Sequence, residues 1–139
     1  MQGKFGEDRK NIGYLVKAFT EVFKNKMKKP ALILKSQKIG SSIIDQENIL
    51  GLINLIRSET KGTLPKIYLL HGEVSDYEMN QLYNHPKVKA MVSFTKGEGF
   101  GRPLLEFSLT GKPVIASGWS GQVDFLEKDK AILIGGTIE

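Results

Sequence analysis

Short solid apolar runs alternate with longer amphipathic stretches along this chain. The runs are Ala31–Leu34, Ile67–Leu70, Ala90–Phe94, Val114–Ala116 and Ala131–Ile134, each bounded by proline, glycine or charge. Runs apolar on both faces suit strands buried on both sides, as in a parallel sheet. Between them, Ile12, Leu15, Val16, Phe19, Val22 and Phe23 recur at the spacing of one helical face, and so do Ile49, Leu52, Ile53 and Ile56. Ser75 followed by Glu78 has the spacing of a capping box and predicts a helix through Leu82, ended by His85-Pro86. Pro103 falls just inside another helix start, where its missing N–H costs nothing, and Gly111 closes that helix. A last short helix is predicted from Gln122 to Glu127. The order is helix, then strand–helix four times, then strand. It predicts an α/β fold with a mostly parallel sheet of five or six strands and helices on both faces. A doubly wound domain ordinarily has a strand leading into its first glycine-containing loop, yet only Met1 and Gln2 stand there. The expectation is a chain cut from something longer, or an unusually short first strand.

Composition narrows this further. A length of 139 residues predicts a single domain over 1–139, with room for one core. The chain is 40% hydrophobic and 25% charged, which fits a soluble globular domain and excludes a disordered or collagen-like one. With no cysteine there is no disulfide scaffold, and a reducing compartment is the default. No apolar run approaches the roughly 20 residues of a membrane span, and Met1-Gln2-Gly3-Lys4 does not open a secretory signal. The expected location is cytoplasmic, or peripheral at a membrane. Charge is unevenly spread. Residues 1–30 hold eight basic and three acidic side chains, whereas residues 31–139 hold twelve of each, so the whole net charge of +5 sits in the first segment. Such a segment suits a phosphate, a nucleic acid or an anionic surface.

The densest chemistry lies between Ser93 and Glu106, which follows a buried strand and leads into a helix. In open α/β sheets, ligands sit outside the carboxyl ends of strands, where this loop must lie. Gly97, Gly99 and Gly101 allow close backbone approach. The amides of Phe100, Gly101 and Arg102 stand at the helix start and suit a phosphate, and Lys96 and Arg102 add positive charge. Glu98 precedes the helix. Its natural partners are sugar hydroxyls, since a carboxylate repels a diphosphate. Glu106, about one turn into the helix, could reach the paired hydroxyls of a ribose. The plainer alternative is that Glu106 pairs with Arg102 four residues earlier and that Glu98 is a solvated loop acid.

The stretch Glu98-Gly99-Phe100-Gly101-Arg102-Pro103-Leu104-Leu105-Glu106 resembles the Glu-x7-Glu motif of the retaining glycosyltransferases of family 4, which have the GT-B fold. Gly111 to Ser117 resembles the helix end and strand that follow in that family, and Ser120-Gly121-Gln122-Val123-Asp124 stands where it usually has Gly-Gly-x-Pro-Glu. Gly72 to Asp76 resembles the turn that receives the base. Gly3-Lys4 and Arg9-Lys10 resemble a signature that holds the diphosphate. The resemblance implies a single Rossmann-like domain equivalent to the C-terminal, donor-binding half of a GT-B enzyme, acting on a nucleotide-sugar donor and an acceptor hydroxyl with retention. The acceptor would be a glycan, a lipid or a small molecule, and an N-terminal GT-B domain would supply its site. The chain alone is therefore expected to be inactive. By the same resemblance Glu98, Lys4 and Lys10 are catalytic: Glu98 contacts the transferred sugar, while Lys4 and Lys10 clamp the diphosphate and steady the leaving group. Gly97, Gly99, Phe100, Gly101, Arg102 and Glu106 bind the donor, and Val74 and Asp76 flank the base. Departures stand beside this. Lys4 replaces an arginine, so a bidentate grip becomes a point charge. Asn11 replaces a glycine, and Ser120 and Asp124 replace Gly and Glu.

Other features read more plainly. His71 and His85 stand 14 residues apart with no clustered acids, so no metal is expected, and the nucleotide sugar is a co-substrate rather than a cofactor. Lys24, Lys26, Lys28 and Lys29 complement the dipole at the end of the first helix; the alternative is contact with an anionic lipid head or acceptor. No aromatics interleave with these lysines, which argues against nucleic acid as a partner. Phe19, Phe23 and Phe125 are core-like, and Trp119 is expected to be partly exposed. A reading from a different class remains: a non-catalytic module that binds a nucleotide or sugar phosphate.

Overall fold

The computed structural model describes residues 10–36, 43–126 and 130–135. The chain divides into two compact units, one of Met1–Ile12 with Ser75–Glu139 and the other of Gly13–Val74.

In the Gly13–Val74 unit, α1 (Ile12–Phe23) starts just ahead of the boundary and is followed by β1 (Leu32–Ser36), α2 (Ile43–Glu59) and β2 (Ile67–His71). β1 and β2 pair in parallel, in register from Leu32 opposite Ile67 to Ser36 opposite His71. Leu15 and Val16 on α1, Leu34 on β1 and Ile53 on α2 are buried, as the helical spacing and the apolar run require. α1 ends because Asn25 turns left-handed, with φ 58°. Asparagine tolerates that region better than most residues. Its N–H donates to the Thr63 carbonyl and its Oδ1 accepts from the Thr63 N–H, both at 2.9 Å, which fastens the α1–β1 loop to the α2–β2 loop.

In the other unit, α3 (Asp76–Asn84) opens on the capping box that its sequence spacing predicts. The Ser75 N–H donates to Glu78 Oε2 (2.8 Å), and the Glu78 N–H donates to Ser75 Oγ (3.2 Å). His85 ends the helix in an extended conformation ahead of Pro86, and Lys112 Nζ donates to the carbonyls of Tyr83 and His85 (2.6 and 2.9 Å). β3 (Met91–Ser93), α4 (Arg102–Ser108), β4 (Val114–Ser117), a 3₁₀ turn (Gly121–Asp124) and β5 (Ala131–Ile134) follow. All three strands run parallel in the order β3-β4-β5, and α4 packs against β3 and β4. Leu104, Phe107, Val114, Ala116, Leu126 and Ala131 form the core here, with Tyr83 edge-on to Phe107 at 5.4 Å. Phe125 packs against this core, and Phe19 meets Phe23 on α1 at 4.9 Å.

The α/β character and the parallel pairing agree with the hydrophobic pattern. The single sheet of five or six strands does not form. Among the described residues, five strands make two sheets, one of two strands and one of three. An apolar run specifies that a segment is extended, but the partner across the ladder is chosen by non-local packing that the run does not encode. The central run, Val114–Ala116 on β4, is buried or half-buried throughout, but the runs of β1, β2 and β5 are not buried on both faces. Ile33, Tyr68, Ile132 and Ile134 are exposed, so these strands carry apolar residues on an open face. The helix expected over 122–127 is shorter and tighter, a 3₁₀ turn that Phe125 ends by donating to the Gln122 carbonyl.

Candidate functional site

The glycine-rich segment forms the connection from β3 to α4, as its position after a strand implies. Its path is set by hydrogen bonds to the segment after β4. Thr95 is fully buried, and its hydroxyl donates to the Gly97 carbonyl at 3.0 Å. Ser117 Oγ donates to the Thr95 carbonyl (2.9 Å), and Trp119 Nε1 donates to the Lys96 carbonyl (3.2 Å). Ser120 holds Glu98 on both sides: the Glu98 N–H donates to Ser120 Oγ (2.9 Å), which donates to the Glu98 carbonyl (2.7 Å). The Gly121 N–H donates to the same carbonyl at 3.0 Å. Ser120 pays for this with a φ of 72°, a region that favours glycine. Gly121 lies so close to the loop that a Cβ there would stand 2.1 Å from the Gly99 carbonyl oxygen. Trp119 is thus half-buried, and its ring nitrogen is spent on the loop.

Gly101 opens α4 in the left-handed region, with φ 84°. It is buried beneath Gln122, Phe125 and the Glu98 side chain. Pro103 has no N–H, and the Leu104 N–H donates to the Gly101 carbonyl (3.0 Å). The first turn of α4 therefore offers a ligand the Arg102 amide alone. Phe100 is exposed, with its ring 5.4 Å from that of Phe125.

The Glu98 carboxylate forms an ion pair with Lys10, 88 residues away in sequence. The Glu98 side chain is only 17% exposed, so it is not a solvated loop acid. Lys4 lies outside the described residues. Gly97 and Gly99 have open space where a Cβ would be, which leaves their backbone approachable. Val74, in the Gly13–Val74 unit, is half-buried in the turn after β2, a turn opened by Gly72 at φ 107°.

Glu106 stands elsewhere. A cavity of about 280 Å³ opens beside α3 and α4, and Asp76, Asn80, Tyr83, Arg102, Glu106 and Thr110 are among its lining. Arg102 lies between the two acids: Nε donates to Glu106 Oε1 at 2.5 Å, and Nη2 is 4.0 Å from Asp76 Oδ2. The pairing four residues apart that the spacing allowed is therefore present. The Glu106 hydrogen bond, then its charge, then that of Asp76 raise the Arg102 guanidinium above its ordinary value. Burial, and next the Glu106 carboxylate, push the Tyr83 hydroxyl up, so it stays protonated and can donate. The cavity unites Asp76, Arg102 and Glu106 and leaves Glu98 out of its lining.

Sequence reasoning missed Asn80, Tyr83 and Thr110. The signal was available in part: Asp76, Asn80 and Asn84 repeat every four residues, a polar stripe on one face of α3. That stripe is held together by Asn84 Nδ2 donating to the Asn80 carbonyl (2.9 Å) and to Asn80 Oδ1 (3.0 Å). Chemically, two carboxylates and an amide suit hydroxyl and amino donors, and Arg102 suits an anion at the rim. Among the described residues no group of three or more His, Asp or Glu side chains could hold a metal ion. No helix of the described residues is long and apolar enough to cross a membrane. No protein-family model matches this sequence, and no curated protein matches it.

Proposed function

We propose that this chain binds a nucleotide sugar as the donor-binding half of a retaining glycosyltransferase. The observation that carries the reading is the cavity beside α3 and α4. It joins Asp76 with Arg102 and Glu106, residues from two separate segments that the family resemblance assigns to one ligand. In this reading the nucleoside occupies that cavity, and Glu106 accepts from the ribose hydroxyls. The diphosphate crosses the start of α4, near the Arg102 guanidinium and amide. The sugar reaches Glu98, whose carboxylate accepts from its hydroxyls.

The Lys10–Glu98 pair supports the same arrangement on electrostatic grounds. A bare carboxylate beside a diphosphate raises the energy of both. A lysine on that carboxylate cancels the repulsion and places a cation where negative charge grows as the sugar leaves. The acceptor hydroxyl then attacks from the face the diphosphate departs: its oxygen bonds to the anomeric carbon as the bond from that carbon to the diphosphate oxygen breaks, its proton passes to the departing diphosphate, and no covalent sugar–protein adduct forms. The acceptor site belongs to a further domain, so the chain binds donor without turning it over.

Calorimetry of the full chain with a panel of uridine, guanosine and adenosine diphosphate sugars, each beside its free nucleotide, tests this. At least one sugar nucleotide binds in the millimolar range or tighter. Glu98→Ala weakens the sugar nucleotide more than the free nucleotide, while Glu106→Ala weakens both equally. Absence of binding by the whole panel rejects the proposal, and equal losses at the two positions reject the division of roles.

A further inference from the structure

The Gly13–Val74 unit carries a second charged feature, remote in sequence from the glycine-rich segment. The loop after α1 and the loop before β2 lie side by side, fastened by Asn25 and Thr63 and by the Leu32 N–H donating to the Lys66 carbonyl (3.0 Å). A cavity of about 400 Å³ between them is lined by Lys29, Pro30, Ala31, Leu64 and Lys66. The segments Glu21–Ala31 and Arg57–Lys66 together hold seven basic side chains and two acids. Glu21 is taken by Lys24 at 2.5 Å, and the Arg57 guanidinium by the Pro65 carbonyl, also at 2.5 Å. The other acid, Glu59, is exposed at the end of α2. Among the described residues no carboxylate pairs with Lys26, Lys28, Lys29, Lys61 or Lys66. In their midst Met27 is fully exposed, an apolar side chain flanked by lysines.

From this juxtaposition we propose that the paired loops bind an anionic lipid surface. Five unpaired lysines supply attraction that needs no fixed geometry, since an ammonium is a mobile point charge. Met27, which buries nothing here, inserts between headgroups as interfacial apolar residues do. Nucleic acid fits less well. The one arginine is spent on a carbonyl, and the one aromatic, Phe23, is half-buried against Phe19 and cannot stack a base.

The test is cosedimentation of the full chain with vesicles of 30% phosphatidylserine in phosphatidylcholine, against pure phosphatidylcholine, across a salt series. The chain partitions onto the anionic vesicles only, and salt releases it. Replacing Lys26, Lys28, Lys29 and Lys66 by Gln lowers the partition coefficient on the order of several hundredfold, at about fivefold per lysine. Met27→Ser lowers it severalfold at unchanged charge. Lys87→Gln with Lys89→Gln, exposed lysines of the other unit, leaves it unchanged. All these positions are on the surface, and circular dichroism reports that each variant is folded. Three results overturn the proposal: equal binding to pure phosphatidylcholine, no binding by the parent chain, or a quadruple variant that sediments like the parent. Displacement from the vesicles by a short DNA duplex at equal phosphate also overturns it, in favour of nucleic acid.

Discussion

Gly121→Ala is the sharpest perturbation of the glycine-rich connection. The added Cβ would sit 2.1 Å from the Gly99 carbonyl oxygen, 2.7 Å from its carbon and 2.9 Å from the Phe100 Cα. All three are backbone atoms, so no side chain can rotate away. The Cβ–oxygen contact must open beyond 3.0 Å, and the loop or the turn must move. Such overpacking costs about 1–3 kcal/mol. The same displacement breaks the bond from the Gly121 N–H to the Glu98 carbonyl, worth about 1 kcal/mol. The expected loss is roughly 2–4 kcal/mol. Urea unfolding followed by circular dichroism measures it as a lower midpoint at constant slope. Gly99→Ala is the control. It places its Cβ in open space without a positive φ, and it shifts stability by less than about 0.5 kcal/mol. If the proposed donor site is right, sugar-nucleotide binding falls further in Gly121→Ala than in Gly99→Ala, because Glu98 moves with the loop. Equal midpoints for the two variants would refute the close approach of Gly121 to the loop.

Three further outcomes are expected. The Ser75 N–H and then the Ser75 hydroxyl hold the Glu78 carboxyl below its ordinary value, so its share of stability is complete above the unfolded-state value and lost as pH falls through the lowered folded one; Glu78→Gln flattens that acid limb in urea midpoints taken down to about pH 3. Glu106→Gln removes the carboxylate beside Tyr83 and lowers the Tyr83 titration toward its ordinary value, read by ultraviolet difference absorption of phenolate at alkaline pH; an unchanged midpoint would show that burial alone acts on this hydroxyl. Lys112→Met strips the Tyr83 carbonyl of its side-chain donor and leaves the His85 carbonyl with the Val88 N–H alone; it destabilises the fold by about 1 kcal/mol in the same urea assay, with α3 amides exchanging faster than those of β4.

Where the chain announced its structure, the signal was local. The capping box at Ser75 and Glu78 and the extended stop at His85-Pro86 are decided within a few residues, and both are present. The strands at Ile67 and Ala131 begin where their apolar runs begin. What stayed hidden depends on distance along the chain. Nothing near Leu34 or Val92 states which strand lies beside it, so the division into two sheets is not legible in the apolar runs. At the candidate site, Arg102 and Glu106 share a helix face, so their pairing was legible. The direct Lys10–Glu98 ion pair was not legible in the residues themselves, because Glu98 alone does not say which of twenty basic residues will reach it; the family resemblance set both at one ligand but not in contact. In sequence, Ser120 reads only as a departure from glycine. Its φ of 72° explains why glycine suits the position, and its two bonds to Glu98 explain how serine is kept there.

The connection between β3 and α4 separates two jobs among different residues. Thr95, Ser117, Trp119, Ser120 and Gly121 draw the path through polar contacts that end on main-chain atoms of the loop. Glu98, Arg102 and Glu106 contribute their side-chain groups without being the struts. Chemistry at these positions separates from the loop's path to different degrees: at Glu106, on the exposed side of α4, a carboxylate could give way to an amide while the loop keeps its course, whereas Glu98 is tied to Lys10 and packs over Gly101. Single substitutions at Arg102 or Glu106 thus change the side-chain chemistry presented beside the loop without redrawing its main-chain path.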